Sequence, residues 1–554
     1  MKKLRLLKVH CLSSCYHLKF LSNELRLLEW ISYPLKSLPS SFQLDNLVAL
    51  LLPYSRIEQL WKGTIQPLYK LKVFNLKGSE NLIKTPDFTT APNLEVLILK
   101  GCTRLIAVHP SIGVLTRLKL LNLEGCKSLR RLPTKIEWES DEVAPTESLE
   151  TLNLKDCSNL VSLPSSIGGC KGLRALNLSG CYKVENLSEN LKQLALLEEL
   201  NLSETARRRT SFIFQLKNQV LYFNGCKGAS SKLRKNLPSL LKLYQRAMIE
   251  PMPLMLHSLS GLSSLRELKL RDCNLCDIPN DISSLSSLTF LDLSGNNFIS
   301  VPSSITRLSK IDTLLLYNCN ELKSLPELLT NIGCVVVSGC DSLEAIANPS
   351  KVCNSVNWAD IRGINCYRLA ETMNVVTLLK KYIKAFGNLR KEFTVVIPGG
   401  EIPEWFNHQS AGISIKIPLP HNIWNDIGFS FCRSCWYTTC CYNQPVTKDH
   451  FLLRYCSRAS LLVRDFFECE CIDSESENLS TLDLSNQEFN ELELYMKHFC
   501  DHIQSVKVKK CGVRLVYEQD LEDVQEQHSN QTCVTIEEMN EDSVAEGSIA
   551  NSSL

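Results

Sequence analysis

At 554 residues the chain exceeds one ordinary globular domain, so two or more structural units are expected. A net charge of +2 provides no global field for nucleic acid or an anionic membrane. No apolar run reaches the roughly 18 residues that a membrane span requires.

The opening segment, MKKLRLLKVH, combines basic residues with leucines. Arg5 and Lys8 break its apolar run, and Leu4, Leu7 and Val9 fit the frame that follows, so it reads as a repeat strand and not a targeting segment. That frame is clearest at residues 118–133, LKLLNLEGCKSLRRLP, with apolar Leu118, Leu121, Leu123, Cys126, Leu129 and Leu132. Leu121 and Leu123 alternate about Asn122, which is strand periodicity. Copies begin at Leu25, Leu47, Leu71, Leu94, Leu149, Leu173, Leu197, Leu265, Leu288, Ile311 and Ile332, with a weaker one at Asn218. Most steps are 21 to 24 residues, within the leucine-rich-repeat window of roughly 20–29. One unit cannot bury its own apolar face, so the copies must stack into a solenoid with a curved parallel sheet on its concave side.

The 25 cysteines suggest a secreted disulfide framework by number but not by position. Cys102, Cys126, Cys157, Cys181, Cys226, Cys273, Cys319 and Cys340 occupy one repeat position, which other repeats give to Ser79 or Asn296. That column is explained by buried thiols in a reducing compartment.

Residues 1–348 form the solenoid, with a short acidic insertion at 137–147 and a longer one at 205–258. The longer insertion carries Arg207, Arg208, Arg209, Lys232, Arg234 and Arg246 with no acid from Ala206 to Ile249. It is read as a solvated loop; gripping nucleic-acid phosphate is the competing reading, against which the sparse aromatic interleaving counts. On the strands, the residues flanking the buried leucines face solvent. Asn122, Asn153, Asn177 and Asn201 share one such column and suggest a side-chain amide ladder. Downstream the exposed set becomes charged and aromatic, with Lys269, Arg271, Phe290, Asp292 and Tyr317 as candidate contacts for a protein partner. Single exposed apolar residues are common, which is the plainer explanation.

After Asn348 the period is lost. The later part of 355–386 has helical spacing, with Leu378, Leu379, Tyr382 and Ile383 on one side. Strand-like runs follow at 394–397, 413–417, 427–432, 451–455 and 506–516, giving a mostly-β domain over 349–517. Residues 518–554 hold ten acids and no Lys or Arg, a disordered-tail composition.

The segments LRLLEWISYPLKSLP at 25–39, LVALLLPYSRIEQLW at 47–61, LHSLSGLSSLRELKLRDC at 256–273 and VIPGGEIPEWFNHQS at 396–410 resemble plant intracellular immune receptors of the TIR–nucleotide-binding–leucine-rich-repeat class. The resemblance covers nearly the whole chain and implies that the mostly-β part is the jelly-roll-and-Ig-like domain found after the repeats there. It implies an α/β leucine-rich-repeat solenoid followed by that domain, in a non-enzymatic recognition module without cofactor, cytoplasmic or nuclear. Its partner would be a pathogen effector protein, bound jointly by the concave face and by the post-repeat loop carrying Trp405, Phe406 and His408. Trp405 and Phe406 are alternatively core residues. No segment resembles a TIR domain and no GxxxxGK[ST] phosphate loop is present. The chain therefore corresponds to the sensor half, which pairs with TIR and nucleotide-binding domains or acts as an adaptor or decoy beside a complete receptor, and a monomer is expected. Two chemical alternatives are weaker. Glu401, Glu404 and His408 match no acid–base motif, and Cys432, Cys435, Cys440, Cys441, Cys469 and Cys471 lack two well-spaced zinc pairs.

Overall fold

The computed structural model describes residues 3–517, except 11–20, 62–66, 134–148, 206–215, 226–258, 327–331, 348–357, 388–391, 419–427, 438–448, 458–466, 471–490, 497–505 and single positions 40, 41, 43, 185, 186, 188, 217, 260 and 413. Both insertion sequences fall largely outside the described residues, as does the acidic tail.

The repeats form the expected parallel sheet, from strand Leu6–Val9 paired with Leu27–Trp30 through to Thr313–Leu315 paired with Cys334–Val336. In most of the three-residue strands the middle residue is buried and its neighbours are half-exposed, as in Leu120–Asn122 and Thr151–Asn153. Leu118, Leu121, Leu123, Leu129 and Leu132 line one continuous core. Burying each such leucine contributes about 1.5–3 kcal/mol, and only stacking on both sides makes that burial complete. The weak copy at Asn218 is a true repeat strand: Val220–Tyr222 pairs with Glu199–Asn201 on one side and Glu267–Lys269 on the other.

Among the described residues, the repeat strands from Leu27–Trp30 onward leave the sheet through a residue in the left-handed region, typically followed by the buried slot. Gly125 (φ 72°) donates its N–H to the Lys155 carbonyl at 2.7 Å, and this conformation suits glycine because it has no Cβ. Cys126 then donates its thiol to the Leu99 carbonyl of the preceding repeat at 3.2 Å. Cys102, Cys157, Cys181, Cys273, Cys319 and Cys340 repeat that bond at 3.0–3.5 Å. The cysteine column is therefore a hydrogen-bonded spine as well as a packed one, and burial pushes the Cys102 and Cys181 thiols up to about 12.

The proposed asparagine ladder is replaced by something more local. The side-chain oxygens of Asn122, Asn153, Asn177 and Asn201 each accept the N–H two residues on, at 3.0–3.1 Å. Asparagine competes well for nearby backbone donors, so the column fixes each turn from within.

The sheet does not stop at the last regular repeat. Strand Trp358–Arg362 pairs in parallel with Cys334–Val336, and Glu392–Pro398 pairs in parallel with Trp358–Arg362. Asn365 (φ 64°) and Cys366, whose thiol donates to the Val337 carbonyl at 3.0 Å, reproduce the repeat turn. From Glu392–Pro398 the pairing becomes antiparallel, through His450–Ser457, Gly428–Tyr437, Val506–Val516 and His408–Ser410. A second sheet joins Ser414–Pro418, Glu491–Met496 and Phe467–Glu470. Helix Val375–Gly387 begins after Asn374, whose side-chain oxygen accepts the Thr377 N–H, and packs Tyr382 and Phe386 on Phe393. The region after the repeats is thus mostly β, and its first strands extend the solenoid's own sheet.

Candidate functional site

The sequence-derived contact residues fall into two groups. The first lies on the concave strands Val220–Tyr222, Glu267–Lys269, Phe290–Asp292 and Thr313–Leu315. Register places Tyr222 opposite Lys269, and Glu267 opposite Phe290. The Lys269 ammonium lies 4.4 Å from the centroid of the Tyr222 ring and 5.0 Å from that of Phe290. Such a cation between two aromatic faces gains about 0.5–2 kcal/mol per ring, according to how far it is desolvated. Glu267 closes the group: its carboxylate is 3.4 Å from Lys269 and accepts the Tyr222 hydroxyl at 3.3 Å. Burial, followed by the charges of Glu267 and Glu199, pushes the Tyr222 phenol up to about 12. The three side chains are half-buried, so the patch is fixed in place yet open to a partner.

Tyr222 was not among the sequence-derived candidates. Its signal was the weak frame of Leu221 and Phe223, which places the residue between them on the exposed face. Arg271 and Tyr317 stand one turn further on, half-buried; the Arg271 N–H is held by the Asn224 side-chain oxygen, and the Tyr317 N–H by the Ser294 hydroxyl. Asp292 is a correction. It is 5% exposed and its carboxylate accepts the Ser294 N–H at 3.0 Å, so it fixes its own turn and is not a contact residue.

The second group lies on the post-repeat domain. Phe406 is also a correction, being 1% exposed and part of the core. Gly512 explains how it sinks: a Cβ there would stand 3.0 Å from the Phe406 Cβ and 2.6 Å from Ile402, so only glycine lets the loop settle on strand Val506–Val516. Trp405 stays half-exposed, with the Arg514 guanidinium 4.7 Å from its ring and an Arg514 N–H donated to its carbonyl at 3.1 Å. His408 is half-buried in a short strand opposite Val513. Glu401 and Glu404 are solvent-exposed, and Glu401 pairs with Lys510 at 2.6 Å.

The two groups do not converge. Eight strand spacings separate the Phe290 strand from the His408 strand, roughly 40 Å along the sheet at about 4.8 Å each. In the order of paired strands the two groups are therefore separate patches. Among the described residues no cluster of three His, Cys, Asp or Glu is placed to hold a metal; Cys440, Cys441 and Cys471 lie outside them. No helix among the described residues is long and apolar enough to cross a membrane.

Residues 397–522 match the C-JID domain, and residues 148–170 and 287–308 match the leucine-rich repeat. The chain is 31% identical over 546 residues to TMV resistance protein N of Nicotiana glutinosa, covering 87% of this chain and 44% of that protein. The chain is thus similar to plant disease-resistance proteins. Disease resistance-like protein DSC1 of Arabidopsis thaliana is 33% identical over 77% of this chain and 38% of its own length. Disease resistance protein RPS4B of the same species is 28% identical over 94% and 44%. The chain thus spans less than half the length of these relatives, and what it shares with them includes the repeats and the C-JID domain. Among solved structures, a leucine-rich-repeat protein of Leptospira interrogans covers 61% of this chain and 90% of its own, with 19% identity and a TM-score of 0.37.

Proposed function

We infer that the chain is a recognition module of plant immunity that binds a pathogen effector protein on its concave face, around Tyr222, Lys269 and Phe290. The observation that carries this reading is the half-buried aromatic–cation–aromatic arrangement on a rigid parallel sheet. Such residues, held in place before binding, lose little entropy on association and make up the hot spots of protein interfaces. Arg271 and Tyr317 extend the surface toward the post-repeat domain, whose Trp405 and His408 provide a separate contact for a large effector or for a receptor's signalling domains. The module works without catalysis or cofactor, inside the plant cell. The similarity to disease-resistance proteins and the protein-binding habit of curved repeat sheets support this reading.

The test is capture of secreted pathogen proteins from a panel, using the full chain and its Lys269→Glu variant. Capture of one protein by the parent, lost in the variant with the fold unchanged by circular dichroism, is the expected result. Equal capture by both would move the contact surface elsewhere. A chain that captures no effector but retains a receptor's TIR or nucleotide-binding domains would favour the adaptor role.

A further inference from the structure

The exposed position just after the first buried leucine of each repeat forms a row along one rim of the solenoid. From the N-terminal side it reads Arg26, Val48, Lys72, Glu95, Lys119, Glu150, Arg174, Glu198. From Lys72 onward cations and carboxylates alternate and pair across repeats, Lys72 with Glu95 at 2.7 Å, Lys119 with Glu150 at 3.9 Å and Arg174 with Glu198 at 2.5 Å. At Val48 the alternation fails: a valine stands where the pattern would place a glutamate, and Arg26 has no ion-pair partner among the described residues.

A cavity of about 430 Å³ opens at this break, lined by Arg26, Lys70, Lys72 and Arg117 and by no acid. Among the described residues Arg117 also lacks an ion-pair partner, and the Lys70 ammonium donates to the neutral Asn46 side chain, at 2.6 Å. The frame beneath is rigid. The Asn46 amide donates to the Asn23 carbonyl at 2.9 Å, and the Asn93 amide to the Tyr69 carbonyl at 2.8 Å, which ties adjacent turns together. The chain's net charge is only +2, so this is a local concentration of cations and not the reflection of a basic protein.

We propose that this rim cavity binds a small organic polyphosphate, with Arg26 and Arg117 gripping phosphoryl groups from the two ends and Lys70 neutralising the middle. Two guanidinium groups offer bidentate donors matched to phosphoryl oxygens, and the ammonium adds a compact charge. A volume of about 430 Å³ suits a molecule of nucleotide size. The site is separate from the concave aromatic patch and stands independently of the effector reading.

The experiment is calorimetric titration of the full chain with inorganic tripolyphosphate at two salt concentrations. One site per chain is expected, with affinity falling as salt rises. Arg26→Gln with Lys70→Gln should weaken binding at least tenfold while leaving the thermal unfolding midpoint unchanged. Val48→Glu, which restores the missing carboxylate without removing a cation, should weaken it similarly. Absence of saturable binding, equal affinity in parent and variants, or equal affinity for sulfate at matched ionic strength would overturn the proposal. So would binding of a short DNA duplex that tripolyphosphate fails to displace.

Discussion

Asn296 and Cys126 occupy the same slot of different repeats, yet their removal should differ greatly in cost. The Cys126 thiol donates to the Leu99 carbonyl at 3.2 Å and is approached by the Cys102 N–H, which itself also donates to that carbonyl at 3.1 Å. Cys126→Ala therefore leaves no backbone group without a partner and costs about 0.5–1.5 kcal/mol for the bond, plus a small cavity term. The Asn296 side chain accepts the N–H groups of Cys273 and Leu275, both at 3.0 Å, and donates to the Leu270 and Leu293 carbonyls at 2.9 and 2.6 Å. Asn296→Ala orphans two buried donors, each at about 1–3 kcal/mol, and so costs roughly 2–6 kcal/mol. Because a long repeat array need not unfold in one step, local hydrogen exchange is the right assay. Amides of the Leu270–Leu293 turns should exchange faster by a factor of roughly 30 or more in Asn296→Ala, and those near Leu99 by only about 2–15 in Cys126→Ala. Equal acceleration in both variants would refute the assignment of the slot as a hydrogen-bonding position.

Three further outcomes follow from named contacts. Alkylation at pH 8 should modify exposed Cys276 while the Cys102 and Cys181 thiols react only after unfolding, as peptide mapping would show. Those two thiols are raised by burial from 9.0 to about 12, so the stability they confer is fully present below pH 9 and lost as pH rises toward 12; urea midpoints of the repeats should fall across that window. Phe393→Ala removes the ring on which Tyr382, Phe386 and Tyr455 pack, at 5.5–5.7 Å, and should cost about 3–5 kcal/mol, read as early proteolysis of the post-repeat domain. Arg514→Ala should release Trp405, visible as a red shift and stronger quenching of tryptophan fluorescence, with little change in the solenoid.

The repeat core was legible because its signal is local and recurrent: a leucine at 121 is interpreted the same way as one at 152 or 291. The β runs after the repeats were legible for the same reason, and strand 506–516 was located to the residue. The errors came where a side chain's partner is not set by period. Asn122 faces outward as expected, but whether its amide bonds a neighbouring repeat or its own turn depends on backbone two residues away. Asp292 occupies the corresponding position and was misread as a free surface charge. Phe406 was ambiguous because its burial depends on Gly512, more than a hundred residues later. The distance between the two candidate groups could not be read from sequence at all, since it depends on strand order, and the order inserts the strands at 450 and 428 before the one that meets His408.

The most direct test of the concave patch as the recognition surface is site-specific photo-crosslinking in plant tissue exposed to a pathogen. A photoreactive aromatic residue would replace Phe290 in one chain and, as a control, Ile299, which is 58% exposed outside the concave strands, in another. We expect a pathogen protein crosslinked at position 290 and not at 299, and lost when Tyr222→Ala is added. Crosslinks of equal yield at both positions, or pathogen protein captured only at 299, would contradict recognition through the Tyr222–Lys269–Phe290 patch.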